Sequence, residues 1–582
     1  MKTYVKQVSF NEQSLEDFVN QVEYDTNQNL KKYLLNFPTI YIVYNNEKKE
    51  YSLYVGETSN IQRRTKQHLL IDPNLREDWK LLSEQEMTKM FIIGNEYFNK
   101  SLTLDLENRL MHYLSSIDNV KYVYNRRTNQ QDDYFTSEYL DEIFSAIWLE
   151  LRKLEPKLFP LERVIRQSAI FKASPFHKLT YEQLDAKDQI LSSIEKAMST
   201  DINGQLILVS GAAGSGKTVL ISSLFYELFQ KDYENTYLLV NHDQQLIVYQ
   251  QIAERLKIID KLNENKVSKP TRFINNTQID EKVDIVLVDE AHLLWTQGKQ
   301  AYSGNNQMFD LLRRAKVVIA VFDLNQVMAA NQYWEKQTLE SLYSKSNNLI
   351  HLQNQMRISA KPETIKWIRD IIDSQVINII PDDNTYDLRI YDDIHRMHED
   401  IKEKAKNTEH GLSRMIATFD WKFVKNKKPK KGDYWMVREK DWELPWNLQK
   451  KTGKRTNKIK NRSLSWAEQE HTIEEVGSTF TIQGFDLNYA GVIIGPSVKY
   501  RNGKIIFDEQ ASENKNIKNR RTFQDGRKVG LGKQLLQNEL NVLLTRGVNG
   551  LYIYAVDPGL RKALIQAEKR RIYGKFNQDI SR

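Results

Sequence analysis

Apolar and polar positions divide the chain into two kinds of pattern. Between residues 39 and 56 two strand-like runs, TIYIVY and YSLYVG, flank the polar turn NNEKKE, which predicts a β-hairpin. A helical pattern follows near residues 60–70, and KMFIIG predicts a further strand. SLTLDLENRLMHYLSS then repeats its apolar residues at the three-to-four spacing of an amphipathic helix. Together these elements predict a small α+β unit over residues 1–135. Residues 136–175 read as a helical linker running into loop, punctuated by Pro156, Pro160 and Pro175. From about residue 176 onward strands alternate with helices, the order of a parallel α/β sheet. The expected fold class is therefore α/β, with a small α+β domain at the front.

Length and charge refine this picture. A chain of 582 residues is too long for one core. It has no run of eighteen apolar residues, and MKTYVKQVSFNEQSLEDF lacks an apolar signal region, so a cytoplasmic protein without a membrane span is expected. The absence of cysteine excludes disulfides and thiolate zinc sites and suits a bacterial cytosolic protein. The formal charge of +8 hints at a polyanionic partner. It is unevenly spread: Trp421 to Arg462 holds 15 Lys/Arg against 4 Asp/Glu, which leaves the rest of the chain at −3. That stretch also holds Trp421, Trp435, Trp442 and Trp446, with Trp466 close by. Basic residues among flat aromatics suit phosphate contact and base stacking. The plainer alternative is a solvated basic loop whose tryptophans are anchored in a core.

LILVSGAAGSGKTVLISSLFYELF has a strand, a phosphate loop and a helix in the order that nucleotide binding needs. Gly211, Gly214 and Gly216, with Ser215 among them, let backbone N–H groups curl around phosphates. Lys217 brings a charge to the β- and γ-phosphates, and the Thr218 hydroxyl suits Mg2+. VDIVLVDEAHLLW delivers Asp289 and Glu290 at the carboxyl end of a strand. Asp289 can hold the Mg2+ shell, and Glu290 can polarise the attacking water. VVIAVFDLNQVM ends in Asp323 and Gln326, HLQNQMRIS carries Arg357, and NELNVLLTRGVNGLYIYAVD presents Arg546. EVGSTFTIQGFDLNYAGVIIG carries Thr481, Gln483, Gly484 and Asp486.

In this order the motifs resemble those of superfamily 1 helicases. The resemblance implies that Gln326 senses the γ-phosphate, while Arg357 and Arg546 reach across from a second RecA-like domain. An arginine that acts only when the cleft closes couples hydrolysis to domain movement. More narrowly, residues 176–582 resemble the helicase-like family grouped with Schlafen-type ATPases (group 3-like), through GAAGSGKTVL, VDEAHLLW, FDLNQVM, NQMRIS, MIATFDWKF, LPWN, TIQGFDLNYAGVIIG and LLTRGVNGLYIYAVD. The implied architecture is two RecA-like domains, at 176–348 and 349–582, with a basic and aromatic insert around 421–466 in the second. KLTYEQLDAKDQIL then corresponds to an adenine-reading Q motif, with either Gln183 or Gln189 as the reader, and Gln483 joins the nucleotide-binding set.

The front unit carries its own chemistry. Tyr41 and Tyr54 fall on neighbouring strands, and Arg64 and His68 are four apart and share a helix face. Glu107 sits on a later helix, and Asn125 follows in YVYNRRTN. Phosphodiester hydrolysis needs a base, a metal and a cation for developing charge, and these residue types cover those needs. Residues 37–130 resemble the GIY-YIG nucleases. The resemblance makes Glu107 the ligand of one Mg2+ and Arg64 the phosphate contact, with Tyr41, Tyr54, His68 and Asn125 completing the site. Thr39 replaces the glycine of the first motif, which serves packing rather than chemistry. The plainer alternative is a hairpin with tyrosines as β-formers and Arg64 and His68 on a solvated face.

The expected protein uses ATP and Mg2+ as a helicase or translocase with an endonuclease domain, acting on nucleic acid with DNA favoured over RNA, in anti-phage defence. An ATP-gated sensor that licenses cutting without unwinding, a repair or restriction enzyme, and a binding module with a degenerate nuclease fold are the alternatives.

Overall fold

A computed structural model describes all residues except 1, 86, 126–133, 167, 212–213, 261–262, 299–300, 353–357, 407–411, 425–426, 448, 450–464, 483–484 and 581–582. The chain divides into two compact units. The first comprises residues 1–180, 218–236 and 247–267, the second residues 181–217, 237–246 and 268–582. Among the described residues no helix is long and apolar enough to cross a membrane.

The first unit is built on the strands β1 (Thr3–Ser9), β2 (Thr39–Glu47), β3 (Glu50–Thr58), β4 (Lys89–Asn95) and β5 (Val120–Val123), in the order β1-β4-β2-β3-β5. Only the β3–β5 pair is parallel. The expected hairpin is β2–β3. Its two-residue reversal puts Lys48 and Lys49 at φ 52° and 74°, and two successive positive φ values match the right-handed twist of the strands it joins. Within the expected 1–135 unit, no individual element was predicted before residue 39. That segment supplies β1 and the helices α1 (Glu12–Glu23) and α2 (Gln28–Leu35), because β1 finds its partner in β4, some eighty residues away in sequence. Helix α3 (Ile61–Leu70) is capped by Asn60, whose side chain accepts from Arg63 N at 2.9 Å. Helices α4 (Glu77–Glu84), α5 (Lys100–Leu114) and α6 (Leu140–Leu154) follow. Tyr41, Val43, Ile61, Trp79 and Ile92 share one core.

Among the described residues the second unit holds two large sheets beside three two-stranded ones. In the first, β6 (Gln205–Gly211), β7 (Thr236–Val240), β8 (Val267–Ser268), β9 (Val283–Asp289), β10 (Ala315–Phe322) and β11 (Ser346–Leu352) take the order β11-β6-β10-β9-β7-β8. The central pairs β6–β10, β9–β10 and β6–β11 are parallel. Strands β9 and β10 are almost wholly buried, which is why they read as continuous apolar runs rather than alternating ones. In the second sheet β12 (Asp387–Tyr391), β13 (Arg414–Ala417), β14 (Val476–Gly477), β15 (Leu487–Ile494) and β16 (Gly547–Ala555) run parallel in the order β12-β16-β15-β13-β14.

The aromatic insert departs from the stacking expectation. Trp442 and Trp446 are buried in one core and Trp466 in another. Trp421 and Trp435 are half-buried and donate their indole N–H groups to the carbonyls of Arg438 and Lys427. The apolar area of these rings is worth more inside than out, so the anchored alternative holds for three of the five. The basic run at 450–464 lies outside the described residues.

Candidate nuclease and ATPase sites

The hairpin register sets Tyr41 opposite Gly56. A Cβ on Gly56 would overlap the Tyr41 hydroxyl, so the glycine is what lets that ring lie across the neighbouring strand. Thr39 is buried at the start of β2 opposite Thr58 and donates to the Thr58 carbonyl at 3.4 Å, so the hairpin closes without the expected glycine. The Tyr41 hydroxyl lies 2.8 Å from His68 Nε2 and accepts from Arg64 Nε at 3.4 Å. On its other side, His68 Nδ1 lies 2.5 Å from Asp72 Oδ2. An acceptor at Asp72 fixes the proton on Nδ1 and leaves Nε2 to accept from Tyr41. The imidazole stacks on Trp79 with centroids 3.6 Å apart, and Tyr54 packs against the same indole at 4.7 Å.

Burial and then the Arg64 charge push His68 down to about 3 against the pull of Asp72, so the imidazole is neutral. Burial, with Tyr54 beside it, raises Tyr41 well above an ordinary tyrosine. Glu107 is pushed up to about 8, first by burial and then by the Glu57 carboxylate, with Lys100 and Arg64 pulling the other way. Two facing carboxylates held in a partly dry place would be relieved by a divalent cation, so the donor chemistry at Glu107 fits a metal. Among the described residues no group of three acidic or histidine side chains is gathered as a metal cage, so the remaining ligands of such an ion would be water or substrate oxygens. Asn125 clamps the strand that carries Tyr54. Its Nδ2 donates to Val55 O at 2.6 Å, its Oδ1 accepts from Val55 N at 3.0 Å, and Nδ2 reaches Glu107 Oε1 at 3.5 Å.

All six sequence-predicted nuclease residues are thus drawn together. Asp72, Trp79 and Glu57 were missed. Asp72 carried a usable signal, a carboxylate four residues after a helical histidine, and Glu57 directly follows the strand glycine.

The ATP site lies where the parallel strands β6, β9 and β10 end, the usual ligand edge of such a sheet. Gly214 and Gly216 take φ 90° and 76°, and Lys217 Nζ donates to Gly211 O at 2.7 Å. Gln183 lies under the loop and donates to the Ser215 carbonyl at 3.1 Å, and a Cβ on Gly216 would overlap its amide. Gln189 instead bonds Asp185 on an exposed face, so of the two Q-motif candidates Gln183 is the one at the loop. Thr218 follows Lys217 in the helix Lys217–Gln230. Asp289 accepts from Gln245 Nε2 at 2.5 Å and from Glu290 N at 2.9 Å. Glu290 is left-handed at φ 51°, a strained position for this residue, and its carboxylate sits 3.2 Å from His292. Burial lowers His292 to about 4.

A chain of polar contacts crosses from this loop to the second sheet. Lys217 Nζ is 3.8 Å from Asp323 Oδ2, Gln326 Nε2 donates to Asp323 Oδ2 at 2.7 Å, and Arg546 donates to Gln326 Oε1 at 2.9 Å. Burial works against the Asp323 charge, but the Lys217 ammonium, His292 and hydrogen bonds hold the carboxylate below its ordinary range. Arg546 is fully buried and also donates to Val542 O and Phe485 O.

Residues 204–557 match the model of the Schlafen group 3 DNA/RNA helicase domain. The chain belongs to that family. In this Schlafen group 3 protein, residues 37–122 also match the GIY-YIG catalytic domain, so a helicase-type ATPase and an endonuclease share one chain. An uncharacterized protein of Saccharomyces cerevisiae, YPL245W, is 33% identical over 446 residues, covering 67% of this chain and 91% of its own length. Among solved structures, the Pif1 helicase of Candida albicans aligns with 69% of this chain and 99% of its own at 9% identity and a TM-score of 0.29. The SWI2/SNF2 ATPase core of Sulfolobus solfataricus in complex with dsDNA aligns with 65% and 88% at 11% identity and a TM-score of 0.24. Likenesses this low carry no argument about either site.

Two further expectations for this Schlafen group 3 protein, Arg357 and Gln483, lie outside the described residues.

Proposed function

We propose that this protein hydrolyses ATP to move or open a nucleic acid, DNA in preference to RNA, which its front domain cuts with the help of Mg2+ in the cytoplasm. The reading is carried by one observation: each site has its groups already in contact, Tyr41–His68–Asp72 hydrogen-bonded beside Glu107 and Arg64, and Lys217 ion-paired with Asp323, which is hydrogen-bonded through Gln326 to Arg546, beside Asp289 and Glu290.

In cleavage, Tyr41 takes a proton from the attacking water as it passes its own to His68 Nε2, and Asp72 holds the imidazolium that results. Arg64 meets the charge that develops on the phosphate. Glu107 would hold a Mg2+ ion, which would supply Lewis-acid polarisation of the phosphodiester. Asn125 keeps Tyr54 and Glu107 in place. In ATP hydrolysis, Gly211, Gly214, Ser215, Gly216 and Lys217 cradle the phosphates, Gln183 supports the loop, and Thr218 and Asp289 would hold Mg2+. Glu290 orients the water, and Gln326 passes the state of the γ-phosphate to Arg546. Arg357 and Gln483 belong to the same set on motif grounds.

A second reading is an ATP-gated switch that licenses cutting without unwinding, and one contact favours it. Arg521, on the small hairpin of Arg520–Thr522 and Lys528–Gly530, is buried against the residues after β10 and β9. It donates to Thr296 Oγ1 at 2.6 Å, Ala330 O at 2.9 Å and Thr296 O at 3.3 Å, and pairs with Glu335 at 3.2 Å. Phe523 stacks on Tyr333 beside it. A buried arginine so heavily bonded resists the wide cleft opening that stepping needs.

The test is a panel of plasmid, single-stranded DNA and RNA with ATP and Mg2+, using wild type, Glu107→Ala and Lys217→Ala. Loss of cutting with ATPase retained in Glu107→Ala supports the reading, and an inert wild type on every substrate removes it. Strand displacement separates the two forms: hydrolysis without displacement, together with ATP-gated cutting, selects the switch. For the biological role we propose anti-phage defence, supported by the pairing of a helicase-like ATPase with an effector nuclease. Repair and restriction of mobile elements are the alternatives, and a relative in yeast gives them weight. Equal plaque counts on cells with wild type, Lys217→Ala and no protein would remove the defence role.

A further inference from the structure

Two helices of the ATP-binding fold, Lys217–Gln230 and Asp243–Arg255, contribute most of their length to the first unit, with the nuclease residues. They are tied to each other at the phosphate end, where the Tyr249 hydroxyl donates to Thr218 O at 3.4 Å. Further along the phosphate-loop helix, the Tyr226 hydroxyl donates to the Asn125 backbone carbonyl at 2.7 Å. The contact is buried, and the ring is held edge-on by Phe176 at 5.2 Å. The Asn125 side chain is the clamp on Val55 that also reaches Glu107. One residue therefore joins the phosphate-loop helix to the strand between Tyr54 and Gly56 and to the carboxylate of the cutting site.

A second tie runs beside it. Arg255, at the end of the helix Asp243–Arg255, donates to Ser115 O at 2.7 Å, and Ser115 caps α5, which carries Glu107. Lys257 then lies over the rings of Tyr122 and Tyr124, at 4.9 and 4.6 Å, just before Asn125.

We propose that Tyr226 is a positioning residue of the nuclease, through which the nucleotide state of the phosphate loop sets the Asn125 clamp. The inference rests on the reading of the chain as a coupled ATPase and nuclease, and it names where the coupling passes. Phosphate binding acts on the first turn of the helix, where the loop N–H groups and Lys217 are. A hydrogen-bonded helix transmits a displacement along its axis, and Tyr226 lies about two and a half turns from Lys217. The Asn125 carbonyl is bonded to that hydroxyl in a buried place, where breaking the bond leaves a polar group unsatisfied. A shift of the helix therefore moves Asn125, and with it Val55 and the amide facing Glu107. Tyr226 touches neither substrate nor nucleotide in this scheme.

The experiment is amide hydrogen exchange on the full chain, wild type and Tyr226→Phe, with and without a non-hydrolysable ATP analogue and Mg2+. Phenylalanine keeps the ring against Phe176 and removes only the hydroxyl. In wild type, nucleotide is expected to slow exchange of peptides spanning residues 52–58 by about threefold or more, since Val55 N–H is held by Asn125. In Tyr226→Phe that response is expected to vanish, while affinity for the analogue stays within about twofold. In cleavage assays the half-saturating Mg2+ concentration rises about fivefold and stimulation by nucleotide is lost, the scale of one buried hydrogen bond. A residue with a merely structural role would alter exchange equally with and without nucleotide. No nucleotide response at residues 52–58 in wild type, or the same response in both proteins, overturns the proposal. Exchange needs no nucleic-acid substrate, so a wild type that cuts nothing would remove the dual-enzyme reading and still leave this inference decided by the exchange data.

Discussion

The two sites are assembled in opposite ways. The cutting site is packed: Tyr41, Tyr54, His68 and Trp79 stack on one another within a single small sheet-and-helix unit, and the register of one hairpin places them. The ATP site is strung together. Its groups come from Gln183 to Arg546 and meet through a line of charges and amides rather than through a shared core. Stacked rings hold a geometry whether or not a ligand is present. A line of polar contacts is sensitive to any member's charge or position, which is the property a nucleotide sensor requires.

Removing one key group from each site tests whether the two are assembled independently. Glu107→Ala is expected to lower cleavage about a thousandfold and leave ATP turnover within about twofold. Arg546→Ala should lower ATP turnover by about the same factor and leave nucleotide-independent cutting in place. Parallel ATPase and cleavage assays check both, and a fall in ATPase with Glu107→Ala would show that the sites are not separable.

A smaller effect is expected at Asp72. Asp72→Asn still fits beside His68 but no longer stabilises the imidazolium, and cleavage should fall about a hundredfold with little change in substrate affinity. Single-turnover cleavage against substrate concentration separates the two. Smaller again is Gly56→Ala. Its methyl group displaces the Tyr41 hydroxyl, which should destabilise the first unit by about 1–3 kcal/mol and disturb cutting, visible as a lowered melting temperature with ATP binding unaffected.

Acid is expected to weaken the fold through His112. Burial holds His112 well below its ordinary 6.5, where it bonds the Phe171 carbonyl. The folded chain therefore keeps it neutral while the unfolded chain takes up a proton, so its contribution is full above pH 6.5 and is lost as pH falls below it. The expected slope is about 1.4 kcal/mol per pH unit, and His112→Gln should flatten the acid limb of a denaturation series by that much.

Much of each site was legible in the sequence for a local reason. A phosphate loop needs glycines and a lysine in a short span, and a hairpin puts Tyr41 and Gly56 face to face through strand alternation alone. The parts that were not legible are non-local. Trp79 gains its role from a helix that packs under the His68 ring, whereas Asp72, four residues after His68, is a local partner that the spacing already offered. The tryptophans of the insert looked like stacking platforms because composition records that a ring is present but not which way it faces. Strand β1 stayed hidden because its neighbour β4 lies eighty or more residues away in sequence.

Residue types at short, fixed spacing thus carry the two chemistries and the order of their motifs. Only the tertiary structure decided which of two glutamines supports the phosphate loop, that His68 has a carboxylate behind it, and that three tryptophans belong to cores. It also decided that the phosphate-loop helix is bonded through Tyr226 to Asn125. Those outcomes depend on which distant surfaces bury one another, and burial is a property of the packed chain rather than of any stretch of it.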